Sequence, residues 1–478
     1  MLRVLGRGSK LCDGVSRREL LQAGALSTLG LTLPQFLHDR AAAAESPAGS
    51  AKAVILVNLL GGPSHIDIFD MKPQAPVEIR GEFETIDTSL PGLQICEHLP
   101  LTAHTMHLSS LVRTHTHLYN THSPYNLLTG YSGPVIVDNL TKPTDHPSIG
   151  AVMQHAGIRA ADVPSYVWMP SHPGHSQSRF RAGPYGGFLG KTYDPLFTSY
   201  DAKFAGETAG RNVHINPPVP LAEPTLPALD QLPDIAVDRM NRRRSLLAQF
   251  DDQTAKAHSS LLTDNFGDYQ QKAFELLTSG KTRAAFDLSQ EPPARRERYG
   301  RNLFGSCLLT ARRLVEAGVK FVGVTTESSF NGGIGAGQWD THSNNFRLLK
   351  NFNLPTLDRN YSALIEDLEE HGLLDSTLVV LMGEMGRTPK VKQNSGGRDH
   401  WTQCGFIVLT GGGVKRGTVY GTSDKSAAWP IADPVSSADH VATIYQLLGL
   451  DPHMQLRDAA GRAVSSALHG RPVWDVIA

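Results

Sequence analysis

The chain has 478 residues, with 45 Lys and Arg against 46 Asp and Glu, so its formal net charge is −1. This balance excludes a bulk electrostatic attraction to nucleic acid, and we expect no nucleic-acid partner. The length is sufficient for one large domain or two ordinary ones. Histidine is plentiful, at 20 residues, which modestly favours a metal-binding protein.

The N-terminus has the pattern of an export signal. Arg17 and Arg18 precede a mostly apolar run from Leu20 to Leu37, and small residues suited to cleavage follow at 41–44. This arrangement is typical of a twin-arginine signal peptide; the alternatives are a membrane anchor and a buried helix. We predict residues 1–44 as the signal, the twin-arginine machinery as a partner, and a periplasmic or extracellular location. No other segment is long and apolar enough to span a bilayer, so no membrane span is expected in the mature chain.

Apolar runs then predict a sheet. Four buried strands are expected, at residues 53–60, 319–324, 377–382 and 406–409. Helical spacing of apolar residues predicts one helix closed by Gly318 and another closed by Gly372. Apolar strands that alternate with helices predict an α/β fold with a mainly parallel sheet covered by helices on both faces. After residue 44 the three cysteines have no CxxC spacing, so a disulfide framework is not expected.

The stretch from about 159 to 298 differs in composition from the rest. Residues 159–233 are rich in Pro, Gly and aromatics, which predicts long loops, and 234–298 are charged and mostly helical in pattern. We predict that 45–478 form one domain and that 159–298 are a loop-rich and helical insertion on it. The basic run 242–244 is either a solvated helix face or a patch for an anionic ligand.

Three short motifs in the C-terminal half carry candidate chemistry. They are Trp339-Asp340-Thr341-His342, Gly383-Glu384 and Gly397-Arg398-Asp399-His400-Trp401. Glu384 directly follows the predicted strand 377–382, and ligands of open α/β sheets bind beyond the carboxyl ends of the strands. Asp, Glu and His groups that converge there are suited to hold one or two divalent ions.

Each motif also has a structural interpretation. Asp340 and His342 point the same way on an extended segment, either to bind an ion or to form a hydrogen-bonded pair that fixes a loop. Glu384 is either a ligand or general base, or the partner of Arg387 in a salt bridge. Asp399 either ligates directly or orients an imidazole from behind it.

Candidates also follow the first predicted strand. His65 and Asp67 come after Gly61-Gly62, whose glycines permit close backbone approach to an anion; the alternative is a structural turn. The passage 115–123 is dense in potential ligands, although most of its histidines are expected not to bind a metal. Ser123 or Thr121 is a candidate nucleophile if a metal lowers the pKa of its hydroxyl.

Taken in order, the motifs resemble a known family, the domain of unknown function 1501 family. The resemblance covers nearly the whole mature chain and rests on the segments 61–70, 78–83, 95–99, 298–300, 311–318, 339–342, 383–388 and 397–401. Members of that family are typically exported by the twin-arginine route and are grouped with the alkaline-phosphatase and sulfatase superfamily. The resemblance therefore implies an alkaline-phosphatase-like fold.

The same resemblance implies a set of site residues. Asp340, His342 and His400 are expected to bind one ion, and Glu384, Asp67 and His65 to lie at a second. His122, Asn120 and Asp399 are placed on the substrate side. Met385 follows Glu384 where superfamily members commonly have His, and Asn120 aligns with the sulfatase nucleophile, so a formylglycine mechanism is not expected. Asp439 resembles a helix cap more than a ligand.

These observations lead to one function and one alternative. The first is an exported hydrolase of phosphate or sulfate esters that depends on one or two divalent ions, with Zn, Ca, Mg and Mn not distinguished. The second is a non-catalytic, degenerate sulfatase-like protein that binds sulfated or phosphorylated glycans through the loops of 159–233. Whether the protein is an enzyme stays open, and either reading implies an anionic ester or glycan as partner.

Overall fold

The computed structural model describes residues 49–135, 139–204, 220–226, 279–327 and 339–478. The predicted signal peptide and the basic run 242–244 lie outside the described residues. Within the described part, residues from Ser50 to Ala478 belong to one unit.

An eight-stranded sheet forms the centre of this unit. Its strands are β1 Ala53–Asn58, β2 Ser109–Val112, β3 Tyr166–Met169, β4 Leu196–Phe197, β5 Phe321–Thr325, β6 Thr377–Met382, β7 Ile407–Thr410 and β8 Thr418–Tyr420. Their spatial order is β8-β2-β7-β6-β1-β5-β3-β4. Every neighbouring pair is parallel except the two pairs that include β7. The mainly parallel sheet predicted from the sequence is confirmed.

Helices cover both faces of the sheet, as predicted. They are α1 Pro100–Thr105, α2 Tyr125–Thr129, α3 Ile149–His155, α4 Gly280–Phe286, α5 Pro293–Arg298, α6 Leu303–Glu316, α7 Leu354–Glu370 and α8 Ser437–Leu447. Successive side chains of a strand point to opposite faces. Ile55 and Val57 of β1 accordingly lie in a core with α1, α6 and α7, whereas Val54 and Leu56 lie in a second core with α2, α3 and α8.

Helix ends follow the sequence signals. Gly318 and Gly372, with φ of +108° and +63°, come just after α6 and α7. Ser436 and Asp439 form a capping box at the start of α8, in which each side chain accepts from the other residue's backbone N–H. Asp439 is therefore a cap, as the sequence predicted.

Four strands differ from the prediction. β3 and β4 belong to the main sheet although residues 159–233 were predicted as loops, because runs of four and two residues are too short to show a period. β2 precedes the passage 115–123 and was not predicted. β7 was predicted as a strand, but apolar periodicity carries no information on its antiparallel direction.

The sheet directions place several loops at one edge. The carboxyl ends of β1, β2, β5 and β6 share this edge with the amino end of antiparallel β7. A small ribbon pairs Gly386–Arg387, after β6, with His400–Trp401, before β7. Segments far apart in sequence are thus brought together where open α/β sheets bind ligands.

Two further features bear on location and redox state. None of the described helices has both the length and the apolarity needed to cross a bilayer. Cys96, Cys307 and Cys404 are buried and free.

Candidate metal centre

Three imidazoles converge on one carboxylate at the carboxyl edge of the sheet. His342 Nε2 lies 3.1 Å and His400 Nε2 3.4 Å from Asp340 Oδ1, and His122 Nε2 lies 3.2 Å from Asp340 Oδ2. The two Nε2 atoms of His342 and His400 are only 3.1 Å apart. Ligand atoms of His122, Asp340 and His400 all lie within 4.8 Å of one another. The predicted ligands Asp340, His342 and His400 are thus brought together, with His122 as a third imidazole.

The far nitrogen of each ring contacts an oxygen acceptor. His122 Nδ1 lies 2.8 Å from Glu384 Oε1, and His342 Nδ1 lies 2.6 Å from Asp399 Oδ1. His400 Nδ1 lies 2.9 Å from Asn120 Oδ1. When the ring proton lies on Nδ1 beside its acceptor, a neutral imidazole presents the lone pair of Nε2 on the side of Asp340, which is the tautomer that metal binding requires. Asn120 and Asp399, predicted on the substrate side, orient two of these rings.

The charges at this point call for a cation. Burial lowers the pKa of His122, but hydrogen bonds to Asp340 and Glu384 outweigh it and raise that pKa to about 9. Burial lowers the pKa of His400. Burial also opposes ionisation of Asp340, yet the hydrogen bond from His122 and the positive charges of His122 and Arg387 hold the pKa of this carboxyl well below its usual range. Without a metal, a proton on His122 therefore supplies the positive charge.

A buried arginine fixes the carboxylate. Arg387 is fully buried, and its guanidinium donates to Asp340 Oδ1 and to the backbone oxygens of Gly61, Gly62 and Arg398. The salt bridge between Glu384 and Arg387 that the sequence allowed is not formed, because Arg387 is committed to Asp340. This role of Arg387 was not predicted, since a buried arginine cannot be told from an exposed one by its neighbours in the chain.

Glycines allow the loops to approach each other closely. Gly61 has φ of +116°, and a Cβ there would lie 2.4 Å from the backbone nitrogen of Asp340. A Cβ on Gly397 would lie 2.0 Å from the carbonyl oxygen of His342. The prediction that Gly61 makes room for an anion is therefore corrected: it makes room for the 339–340 segment. Gly397 brings the ribbon with His400 against the loop of His342.

Glu384 lies behind the centre. Its side chain is fully buried, and Oε1 accepts from the backbone N–H of Gly61 at 2.7 Å as well as contacting His122. Its Oε2 is buried and has no hydrogen-bond partner among the described residues. Glu384 thus orients His122; the described residues offer no second set of ligands around it.

Asp67 and His65, predicted at a second ion, have other partners. Both oxygens of Asp67 accept from Arg398, at 2.7 and 2.8 Å, and Oδ2 also accepts from Ser64 and Asn345. His65 is buried with Nε2 2.7 Å from the carbonyl oxygen of Ala427. In this structure both side chains stabilise the loop after β1, and neither belongs to the group of His122, Asp340 and His400.

The two predicted nucleophiles differ in availability. Ser123 is fully buried, and its hydroxyl donates to the carbonyl oxygen of Ala182 at 2.7 Å. Thr121 is partly exposed, and its hydroxyl has no hydrogen bond to the described residues. The geometry therefore removes Ser123 as a free hydroxyl and leaves Thr121.

Two other histidines of the passage 115–123, and His440, are buried in the core. Burial lowers the pKa of His117 to about 4 and that of His440 to about 3. His115 is packed against both rings. These buried rings pack against one another, and none of them belongs to the group of His122, Asp340 and His400.

Comparison with known proteins gives the family. The family model described as "Protein of unknown function (DUF1501)" matches residues 51–477, and the chain belongs to this family. No curated protein matches the sequence.

Several solved structures are similar in part. A phosphonate monoester hydrolase from Silicibacter pomeroyi is 12% identical, with 89% of this chain and 76% of that chain covered and a TM-score of 0.34. The sulfatase PsFucS1 from Pseudoalteromonas sp. is 12% identical, with 86% and 70% covered and a TM-score of 0.35. The protein Ps i-CgsB is 14% identical, with 88% and 75% covered and a TM-score of 0.38.

Proposed function

We propose that the chain is a metal-dependent hydrolase of phosphate or sulfate esters, with its centre at His122, Asp340, His342 and His400. One observation carries the proposal: three Nε2 atoms converge on Asp340 while the three Nδ1 atoms contact oxygen acceptors. Histidines that bind metals commonly donate their second ring N–H to a carboxylate or carbonyl, which fixes the ring and its tautomer.

The donor atoms fit a divalent transition metal or zinc. Three imidazoles and one carboxylate are suited to Zn²⁺ and its neighbours, whereas Ca²⁺ and Mg²⁺ are bound mainly by oxygen. An ion held here would supply Lewis-acid stabilisation of negative charge on an ester oxygen. Four protein ligands form a single site, so we propose one ion rather than two.

The residues around the ligands have separate tasks. Glu384 holds His122, Asp399 holds His342 and Asn120 holds His400, so the three rings stay directed at one point. Arg387 holds Asp340 from the buried side. Thr121, next to His122, is the candidate hydroxyl nucleophile, and water is the alternative.

A binding-only function has one observation in its favour. Ser123 is sequestered by Ala182, so one of the two predicted hydroxyl nucleophiles is unavailable. A protein that keeps the metal centre without turnover would bind the same anionic esters, including sulfated or phosphorylated glycans.

Metal analysis and an ester screen test the proposal together. We expect about one divalent ion per full-length chain, and turnover of aryl phosphates, phosphodiesters or aryl sulfates that Asp340→Ala abolishes. The control is Asp375→Ala, a change at an exposed carboxylate that pairs with Arg416. A folded protein with no bound metal contradicts the proposal, and stoichiometric metal without turnover supports the binding-only alternative. Thr121→Val distinguishes the Thr121 hydroxyl from water as the nucleophile, because it abolishes turnover only if the hydroxyl attacks.

We also propose export by the twin-arginine route, with a periplasmic or extracellular mature protein. The support is the Arg17-Arg18 pair ahead of the apolar run. Replacing both arginines by lysine should retain a fused reporter in the cytoplasm, whereas Lys52→Arg in the mature chain should not. Unchanged export of the double variant contradicts this route.

A further inference from the structure

Arg181 lies beside the proposed metal centre, in a loop that hydrogen bonds hold in place. Its Nη1 donates to the carbonyl oxygen of His122 at 2.6 Å, and its Nη2 donates to Gln177 Oε1. The first contact joins this arginine to the backbone of a proposed metal ligand, although the two residues are 59 positions apart in the chain.

The buried side chain of Glu327 stabilises the loop that carries Arg181. Glu327, buried just after β5, accepts from the backbone N–H of Gly174 at 2.9 Å and from that of Ser176 at 3.2 Å. Gly174 has φ of +87°, and a Cβ there would lie 2.8 Å from Cγ of Arg181. The aliphatic part of Arg181 therefore packs over Gly174. This packing limits the rotamers open to the guanidinium.

Burial lowers the pKa of the Arg181 guanidinium, and the nearby carboxylates of Glu327 and Glu384 oppose this shift, but Arg181 forms an ion pair with neither. It is partly buried, yet no carboxylate of the described residues forms an ion pair with it. By contrast, the buried Arg387 and Arg398 are each paired with a carboxylate. Two of the five N–H donors of Arg181 are engaged by the contacts to His122 and Gln177, which leaves three.

A partly desolvated arginine with no direct pairing to a described carboxylate favours an incoming anion. Taking a charge out of water is unfavourable unless it gains a partner, and the fork of a guanidinium matches the oxygens of phosphate and sulfate. We infer that Arg181 binds the charged oxygens of the ester group and so selects anionic esters at the centre. This inference rests on the proposed function.

Anion titrations test the inference with inorganic phosphate, and with sulfate in parallel, as probes. The full-length chain carries one equivalent of Zn²⁺, and the affinities for Zn²⁺ and for the anion are measured separately by calorimetry. Arg181→Gln should weaken phosphate binding by roughly 10- to 100-fold, as expected for the loss of charge-assisted hydrogen bonds, and leave Zn²⁺ affinity unchanged. Arg181→Lys keeps the positive charge but lacks the planar guanidinium, so its phosphate affinity should lie between those of the wild type and Arg181→Gln.

A matched control lies two residues away. Arg179 is exposed, so Arg179→Gln removes the same charge without a contact to His122 and should leave phosphate affinity unchanged. Imidazole, a neutral metal-directed probe, should bind wild type and Arg181→Gln equally. If the role of Arg181 is purely structural, Arg181→Gln should weaken the binding of both phosphate and imidazole.

Each result decides one of the two proposals. Wild-type phosphate affinity in Arg181→Gln overturns the inference, as does wild-type protein that binds neither anion. If the wild type binds no Zn²⁺, the proposed function fails, and phosphate titration of the metal-free chain still decides whether Arg181 binds the anion. If Arg181→Gln does not fold, Arg181→Lys decides the question. Wild-type phosphate affinity in Arg181→Lys would overturn the inference that the guanidinium of Arg181 binds the anion.

Discussion

At the residue scale, the centre is defined by the partner of each ring nitrogen. An Asp-His pair that only fixes a loop needs one contact per imidazole, but each imidazole here has two, one at each nitrogen. The second contact sets the tautomer and so determines which nitrogen faces Asp340. The contacts at both nitrogens of each ring, more than the proximity of the rings, indicate a metal.

Metal binding should release a proton from His122. The pKa of His122 is raised to about 9, because Asp340 and Glu384 outweigh the effect of burial, so the ring is protonated in the metal-free protein at pH 7.5. A metal must displace that proton, and we expect about one proton released per ion. Calorimetry of Zn²⁺ binding in buffers of different ionisation enthalpy measures it, and Glu384→Gln should reduce the release. Binding with no proton release contradicts the protonated His122.

The same group makes the stability of the metal-free protein depend on pH. The folded pKa of His122 lies above the ordinary value of 6.5, so its contribution is fully present below pH 6.5 and is lost as the pH rises through about 9. With a chelator present, the free energy of unfolding of wild type should therefore approach that of His122→Gln between pH 6.5 and 9. If the free energies of unfolding of the wild type and His122→Gln differ by a constant amount over this range, the pKa of His122 is not raised.

Removal of Arg387 should damage both stability and the centre. Its guanidinium is fully buried and satisfies Asp340 and several backbone oxygens, so Arg387→Met removes the buried positive charge beside Asp340 and leaves those backbone oxygens without their donor. We expect a loss of about 3–5 kcal/mol in the free energy of unfolding, together with weaker Zn²⁺ binding. The control is Arg416→Met, whose exposed ion pair with Asp375 should contribute less than about 1 kcal/mol. Equal losses in the two variants would contradict a central role for Arg387.

At the scale of elements, the sequence predicted what local pattern encodes. β6 was predicted with its observed bounds, and α6 and α7 follow their apolar spacing and end signals. The short strands β2, β3 and β4 were missed, because pairing with longer neighbours stabilises them rather than a pattern of their own. The direction of β7 could not be predicted for the same reason: it depends on which strand lies beside it.

The candidate site was predicted to a similar extent. Asp340, His342 and His400 stood out because their motifs follow or precede strands of one sheet, whose edges the fold rules place together. His122 was taken for a substrate contact, and Asp67 and His65 for ligands, because residue type and position in the chain do not reveal partners. Arg398 takes both oxygens of Asp67 from 331 residues away, a contact that only the folded chain defines.

Gly61 links loop geometry to the centre, and alanine there should disrupt it. A Cβ at Gly61 would meet the backbone nitrogen of Asp340 at 2.4 Å, whereas a Cβ at Gly92, also at positive φ, would meet nothing within 4 Å. Gly92→Ala should therefore cost only the backbone strain, about 1–2 kcal/mol, and keep wild-type Zn²⁺ affinity. Gly61→Ala should cost more and lose Zn²⁺ binding, as measured by denaturant unfolding and calorimetry. Wild-type Zn²⁺ affinity in Gly61→Ala would show that the 339–340 segment adapts without moving Asp340.

At the scale of the whole molecule, the centre joins separate parts of the chain. His122 follows β2, Glu384 follows β6, Asp340 lies beyond β5 in the chain, and His400 precedes β7. These segments meet only when the central strands are paired in their native order. An ion bound by all of them has no comparable site in the unfolded chain.

Metal should therefore stabilise the entire fold and not one loop. A ligand that binds only the folded state adds RT ln(1 + [L]/Kd), about 2.7 kcal/mol at a free concentration of 100 times Kd. We expect Zn²⁺ to raise the Tm of the full-length chain in one cooperative transition, and a chelator to reverse the rise. Asp340→Asn should abolish the rise because it removes the charge on which the three imidazoles converge, whereas Asp458→Asn, in a surface turn with Arg462, should retain it. A Tm that does not respond to Zn²⁺, or the same rise in both variants, would show that the ion binds elsewhere or not at all.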